Sequence, residues 1–202
     1  SVVLNYNNLL DTLGSSLFIG SQYSFFKLNS NDFIKENITI NNTYSSGLRN
    51  NQGQNTITIF TPQLDYVKKF KNASAVELGL KYSYSENSGK VDFLTQVNGT
   101  ELFEVVSELS NNFLYTENIP ALYLQYQGSI KRKVRYLIGL RSEYTDAHGV
   151  SLVSNTVAID TSYINFFPNI IANASLSEKW IVGVSYSGRN HRPLSNHVRH
   201  DG

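Results

Sequence analysis

Apolar and polar residues alternate with almost no interruption in the last third of the chain. Every second residue from Ile164 to Leu176 is apolar, and the positions between them include Asn165, Asn169 and Asn173. A period of two residues places such sets on opposite faces of one β-strand. After a turn at Ser177-Glu178-Lys179 the pattern resumes and predicts a second strand, with one face formed by Trp180, Val182, Val184 and Tyr186 and the other by Gly183, Ser185, Ser187 and Arg189.

The predicted strands are long. Each of these runs reaches or exceeds the ~9–11 residues that a tilted strand needs to cross a bilayer, whereas strands of soluble proteins commonly have ~5–6 residues. Long amphipathic strands are typical of membrane barrels, so we predict an all-β fold, an antiparallel up-and-down transmembrane β-barrel. The same alternation brings the total to about eight strands, the others being Ser1–Asn8, Ser16–Leu28, Asn55–Phe70, Ala75–Ser85, Phe113–Gln127 and Lys133–Thr145.

Short turns alternate with long polar segments between these strands. The remaining turns are predicted at Asp11–Gly14, Lys71–Ala73 and Gly128–Arg132. Outer-membrane barrels have short periplasmic turns and long extracellular loops. We therefore expect loops on the cell exterior at Asn29–Gln54, Asn87–Asn112 and Asp146–Ser162.

Two local features qualify this plan. Pro62 falls inside a predicted strand, which indicates a bulge or a local pairing defect. Within the second long segment, Asn98-Gly99 separates two short alternating runs, which favours a β-hairpin. An amphipathic helix built on Leu102, Val105, Val106 and Leu109 is the alternative.

Composition narrows the class of protein. Hydrophobic residues make up 41% of the chain, and no stretch approaches the ~18 consecutive apolar residues of a membrane helix. Charged residues make up 16% and the net charge is +1, which argues against a nucleic-acid-binding protein. The 13 tyrosines suit the aromatic girdles of a membrane barrel. The first residues already form a predicted strand and no signal peptide precedes them, so we expect a processed chain or a fragment.

The sequence contains no convincing catalytic, metal or cofactor motif. Three of the four histidines, His191, His197 and His200, are close together near the C-terminus, but their spacing fits neither one helix face nor one strand face. A solvated tail explains them better. We therefore predict a barrel segment over residues 1–193, a loop or tail over residues 194–202, no enzymatic activity and no cofactor.

The polar residues on the inward face are the candidate functional residues. They are Asp65, Lys81, Glu117, Arg141, Glu143, Asn169 and Arg189. With a turn at Gly128–Arg132, we expect Glu117 to lie opposite or diagonal to Arg141 and Glu143. These charges either form a ladder that fixes strand register or provide a contact surface for a plug or a solute. The lipid-facing set is predicted to include Leu78, Leu80, Ile138, Leu140, Ala172 and Val184, and Asn173 and Ser185 should face inward.

Four clusters resemble a known family. Gly139-Leu140-Arg141-Ser142-Glu143-Tyr144-Thr145 is similar to the "GLRxEYT" strand of Bacteroidetes outer-membrane β-barrel proteins related to TonB-dependent receptors. Phe167-Pro168-Asn169 and Arg189-Asn190-His191-Arg192-Pro193 resemble the two strands that follow it in that family. Tyr115-Thr116-Glu117-Asn118-Ile119-Pro120-Ala121 resembles the strand that precedes it. The resemblance covers Tyr115 to Pro193 in the family's order and spacing.

The resemblance implies a place in the outer membrane of a Gram-negative cell and energised import of a metal chelate, a glycan or a peptide. The implied partners are outer-membrane lipid, a plug domain, TonB and a surface lipoprotein. Receptors of this type have around twenty-two strands, so the resemblance implies that this chain is an interior segment of a larger barrel. The alternatives are a small independent barrel with a structural or adhesive role and a soluble carbohydrate-binding β-sandwich.

Overall fold

The computed structural model describes residues 1–40, 43–97, 100–131, 133–177 and 179–188. These residues form β-strands joined by turns, and they include no helix that is long and apolar enough to span a membrane. The strands are β1 Val2–Leu9, β2 Ser16–Ile40, β3 Thr43–Lys69, β4 Ala75–Gln96, β5 Phe103–Val105, β6 Asn111–Ile130, β7 Val134–Ser151, β8 Thr156–Ser175 and β9 Ile181–Ser187.

All strands belong to one antiparallel sheet. Its order is β1-β2-β3-β4-β6-β7-β8-β9, and the short strand β5 pairs only with the far end of β4. Each long strand therefore pairs with its neighbours along the chain, which confirms the predicted up-and-down topology. Within the described part of the chain, β1 and β9 are paired on one side only, so the sheet is an open, partial barrel.

The long polar segments are mostly strand, and this corrects the predicted loops. β2 and β3 remain paired from Ser16 with Val67 to Ile40 with Thr43, so Asn29–Gln54 is the distal half of a hairpin. β7 and β8 likewise remain paired across most of Asp146–Ser162, and a turn at 152–155 joins them. The alternation of apolar residues marks only the part of a strand that contacts lipid. Beyond it, main-chain hydrogen bonds between the strands continue without an apolar pattern.

The hairpin at Asn98-Gly99 is confirmed by its flanking strands. Leu94–Gln96 pairs antiparallel with Phe103–Val105, while Asn98 and Gly99 themselves lie outside the described residues. The alternative amphipathic helix is wrong, because Phe103–Val105 is strand and residues 107–109 form a turn.

Strand pairing in the sheet is interrupted at two prolines. The pairing of β3 with β4 is absent at Thr61 and Pro62, and the register is the same on either side of that gap. This confirms the pairing defect predicted at Pro62. The pairing of β6 with β7 has a similar gap at Ile119 and Pro120. Proline has no N–H to donate to the neighbouring strand, which explains both gaps.

The two faces of the sheet differ in polarity as predicted. In register, Leu64, Leu80 and Leu122 follow one another across β3, β4 and β6, and Leu80 is 52% exposed. The described residues include only four buried hydrophobic residues, namely Ala75, Ile119, Ala121 and Ala147. A sheet with a broad exposed apolar face and almost no core of its own needs lipid to cover that face.

The four short connections lie at one end of the sheet, here called the short-turn end. They join β1 to β2, β3 to β4, β6 to β7 and β8 to β9, whereas the long hairpins lie at the opposite end, here called the hairpin end. In the first connection, the Oδ1 atom of Asp11 accepts hydrogen bonds from the backbone N–H groups of Leu13 and Ser15, each at 3.0 Å. Its Oδ2 atom accepts from Lys68 Nζ at 2.8 Å, which ties this turn to the end of β3.

Asp11 makes the stability of this turn depend on pH. The hydrogen bond from Lys68 holds the pKa of the Asp11 carboxyl well below its usual range, and the bonds from Ser15 act in the same direction. A carboxyl whose pKa is lower in the folded state stabilises that state fully above its unfolded pKa of about 4. This contribution is lost progressively as the pH falls from that value toward the lowered folded pKa, so part of it is already lost at pH 3. We expect Asp11→Asn to lower the urea midpoint of unfolding at pH 7 and to reduce its change between pH 7 and pH 3. A variant whose midpoint follows that of the wild type at both pH values would contradict this role.

Candidate functional site on the inward face

A tyrosine on the inward face connects three strands. Asp65 on β3, Gly79 on β4 and Tyr123 on β6 lie in one row of the register. Gly79 has no side chain, and a Cβ atom built there would overlap Cε1 and Cζ of the Tyr123 ring. The ring therefore passes over Gly79, and its hydroxyl donates a hydrogen bond to Asp65 Oδ1 two strands away. The glycine is needed for this close approach.

Further polar groups extend this contact into a network. The Tyr123 hydroxyl is 3.2 Å from Glu77 Oε1, and Gln125 Nε2 donates to Glu77 Oε2 at 3.4 Å. Gln63 Nε2 donates to the second carboxylate oxygen of Asp65. A phenol carries one proton and donates to one carboxylate at a time, so Asp65 and Glu77 share a single donor. The network concentrates negative charge on β3 and β4.

Positive charge lies beside this network. Arg141 Nε donates to Glu143 Oε1 at 2.6 Å along β7, and Lys81 lies two residues beyond Gly79 on β4. A cavity of about 420 Å³ opens on this face. The charged and neutral polar side chains along it include Gln63, Glu77, Lys81, Tyr123, Gln125, Arg141 and Asn169, and Phe167 adds an apolar ring. The inward face can therefore bind groups of either sign.

The structure brings most of the predicted residues together. Lys81, Arg141 and Asn169 line the cavity. Glu143 accepts a hydrogen bond from Arg141, and Asp65 accepts one from Tyr123, which also lines the cavity. Arg189 lies outside the described residues, as do His191, His197 and His200. Within the described ranges, no three His, Cys, Asp or Glu side chains are close enough to hold a metal ion.

The predicted register of Glu117 is wrong. Glu117 lies opposite Ala147, whereas Glu143 lies opposite Ala121. The prediction placed the turn at Gly128–Arg132, but β6 continues to Ile130, which pairs with Val134. The turn begins at Lys131, which adopts a φ of 50°. Moving the turn toward the C-terminus shifts the pairing of β6 and β7 by four residues along the whole hairpin.

The alternation along β6 places Tyr123 on the inward face, but this pattern does not identify it as a functional residue. The signal in the sequence is Gly79, an inward glycine inside a regular strand, which indicates close approach of another group. Identifying that group requires the register of β3, β4 and β6, which residue pattern alone does not provide.

The outward face ends in aromatic residues toward the hairpin end. On four strands an aromatic residue of the apolar band is followed on the outward face by a polar residue. The pairs are Phe25 and Lys27, Phe60 and Thr58, Tyr84 and Glu86, and Tyr144 and Asp146. The Tyr84 hydroxyl donates to Glu86 Oε2 at 2.7 Å. Aromatic rings with a polar tip are typical of the boundary between hydrocarbon and water.

An open up-and-down sheet with a lipid-facing apolar band, an aromatic boundary and a polar inner face defines the wall of a membrane β-barrel. The model of the outer membrane protein beta-barrel family matches residues 8–199, and the chain belongs to that family. This confirms the predicted fold class and the predicted location in the outer membrane. A soluble β-sandwich is wrong, because the described strands form one sheet and no second layer among the described residues covers its apolar face.

One solved structure similar to this chain is the ferric citrate transporter FecA in its unliganded form. The two share 14% sequence identity, with a TM-score of 0.47. The match covers 85% of this chain and 27% of the transporter, so the chain spans about a quarter of that protein's length. No curated protein matches the chain.

Proposed function

We propose that this chain forms part of the wall of an outer-membrane, TonB-dependent receptor that imports a scarce or large solute, such as a metal chelate, a glycan or a peptide. Its role is transport rather than catalysis. The observation that carries the proposal is the polar inward face of an open sheet, on which both signs of charge border a cavity of about 420 Å³.

The residue sizes on the inward face favour a wide lumen. A closed barrel of about eight strands has an interior just wide enough for side chains to fill. Here the inward positions include Gly139, Ser83 and Ser185 beside the long side chains of Arg141 and Lys81. Small residues beside long charged ones leave a concave, solvent-accessible wall rather than a packed interior, which supports a larger barrel.

The polar network then has a mechanical role. Asp65, Glu77, Arg141 and Glu143 provide hydrogen-bonding and charged groups on which a plug domain or a hydrated solute can rest. The long hairpins extend toward the cell exterior and capture the solute, and the short turns face the periplasm. TonB moves the plug from the periplasmic side, and the wall residues rebind the plug when it returns.

Cysteine labelling tests the wide lumen, because the chain contains no cysteine. Lys81→Cys places a thiol on the inward face, and Leu80→Cys places one on the adjacent lipid-facing position. In isolated outer membranes, we expect a bulky membrane-impermeant maleimide to label the first variant and to leave the second unlabelled. Failure to label Lys81→Cys would favour the small barrel, whose interior is filled by side chains.

The same variant tests the dependence on TonB. In intact cells, movement of a plug should change access to the thiol in Lys81→Cys. We expect the labelling rate to fall when the proton-motive force is collapsed and to fall equally when TonB is deleted. A rate that responds to neither treatment would indicate a passive barrel wall.

A further inference from the structure

Positive charge is concentrated at the short-turn end of the sheet. The exposed basic residues in the short connections themselves are Lys71, Lys131, Lys133 and Lys179, here called the basic turn cluster. Lys69 and Arg135 lie on the inward face of the adjoining strand ends. A further lysine, Lys68, is neutralised by its ion pair with Asp11 at 2.8 Å. Asp11 is the one carboxylate among the described residues of these short connections.

The hairpin end carries the opposite charge. Among the residues that the structure describes, its acidic residues are Asp32, Glu36, Glu86, Asp92, Glu101, Glu104, Glu108, Glu117, Asp146 and Asp160, and its basic residues are Lys27, Lys35, Arg49 and Lys90. Two of those cations are already paired, Arg49 with Glu36 at 3.1 Å and Lys90 with Asp92 at 2.6 Å. The hairpin end therefore presents net negative charge, and the short-turn end presents net positive charge.

Aromatic residues locate the basic turn cluster relative to the membrane. Tyr126 and Tyr136 lie on the outward face near the short-turn end, with ring centroids 5.9 Å apart. Trp180, in the connection before β9, is 70% exposed, and Phe70 begins the connection after β3. Such residues lie at the level of lipid headgroups, and lysine stems next to them can extend their ammonium groups to the same level.

We propose that the basic turn cluster binds anionic phospholipid headgroups in the periplasmic leaflet of the outer membrane. Each lysine near an anionic surface is attracted to it, and several on one rim act together. The side of the membrane rests on the proposed function, in which the short turns face the periplasm. The phosphates of lipid A belong to the other leaflet and would meet the acidic hairpin end.

Trp180 provides a direct readout because it is the only tryptophan of the chain. The full chain in mixed micelles is titrated with brominated phosphatidylglycerol or with brominated phosphatidylcholine, and quenching of Trp180 fluorescence gives the relative affinity for the two lipids. We expect a preference of about fivefold for the anionic lipid. The preference should disappear at about 1 M salt, where the Debye length is about 3 Å.

Two matched variants distinguish the effect of the basic turn cluster on lipid preference from the effect of the net charge of the chain. The first, here called the turn variant, combines the substitutions Lys71→Gln, Lys131→Gln, Lys133→Gln and Lys179→Gln. It should abolish the preference for the anionic lipid. The second removes the same number of cations from the hairpin end through Lys27→Gln, Lys35→Gln, Arg49→Gln and Lys90→Gln. It should leave the lipid preference intact. All eight side chains reach solvent, so both variants should retain the β-sheet signal in circular dichroism.

Three outcomes would overturn the proposal. They are equal quenching by the two lipids, a preference that survives in the turn variant, and stronger displacement of brominated phosphatidylglycerol by lipid A than by unlabelled phosphatidylglycerol. Lipid preference in micelles requires neither a wide lumen nor TonB. Failure of this test is therefore distinguishable from failure of the labelling test at Lys81.

Discussion

Gly79→Ala should destabilise the barrel wall by about 1–3 kcal/mol, because a Cβ at this position occupies the space of the Tyr123 ring. The ring can avoid the new methyl group only by turning away. That movement breaks the hydrogen bond to Asp65 and moves the hydroxyl from Glu77. The two carboxylates then lose the donor that they share on a partly buried surface, which adds to the cost. The urea midpoint of unfolding and the temperature at which the folded band disappears in gel electrophoresis both measure this loss.

Gly89→Ala is the matched control on the same strand. Gly89 also lies on the inward face of β4, but a Cβ built there meets nothing within 4 Å. We expect its unfolding midpoint to remain within error of the wild type. In a Tyr123→Ala background, Gly79→Ala should cost nothing further, since no ring remains to be displaced. An equal loss in the two glycine variants, or additive effects of Gly79→Ala and Tyr123→Ala, would show that the ring does not depend on Gly79.

The lipid-facing half of the fold could be predicted from sequence because lipid imposes a pattern. A strand that crosses the membrane must present an apolar residue at every second position, as β8 does from Ile164 to Ala174. The proline gap at Pro62 was predictable for a similar reason, since the missing N–H is a property of one residue type. Each of these features depends on a residue and its immediate neighbours.

The distal strands and the register were not predictable in the same way. Asn29–Gln54 carries mostly polar residues on both faces, and a hairpin of that composition cannot be told from a loop by its residue pattern. The pairing of Glu117 with Ala147 depends on where the chain turns near Lys131. Moving a turn by two residues shifts every cross-strand pair by four, so a small error at the turn gives a large error at Glu117. The contact of Tyr123 with Asp65 depends on two such registers at once.

The inward network and the outward band therefore stabilise the wall in different ways. On the outward face no specific partner is needed, and any apolar side chain of suitable size can contact lipid. On the inward face Tyr123 must reach Asp65 across Gly79, and Arg141 must meet Glu143. Apolar substitutions should consequently be tolerated outward and charged substitutions tolerated inward, with a sharp change between adjacent residues of one strand.

Leu124→Arg should therefore cost about 2–4 kcal/mol, as expected for arginine near the bilayer midplane. Leu124 is 54% exposed and lies between Leu78 and Leu140 in the apolar band, so a guanidinium there enters hydrocarbon without a partner. Gln125→Arg is the matched control one residue away. Gln125 faces inward and donates a hydrogen bond to Glu77 at 3.4 Å, so an arginine there can form an ion pair with that carboxylate. The substitution should therefore leave stability nearly unchanged. Urea titration of both variants in lipid vesicles measures the difference, and equal losses would refute the assignment of the two faces.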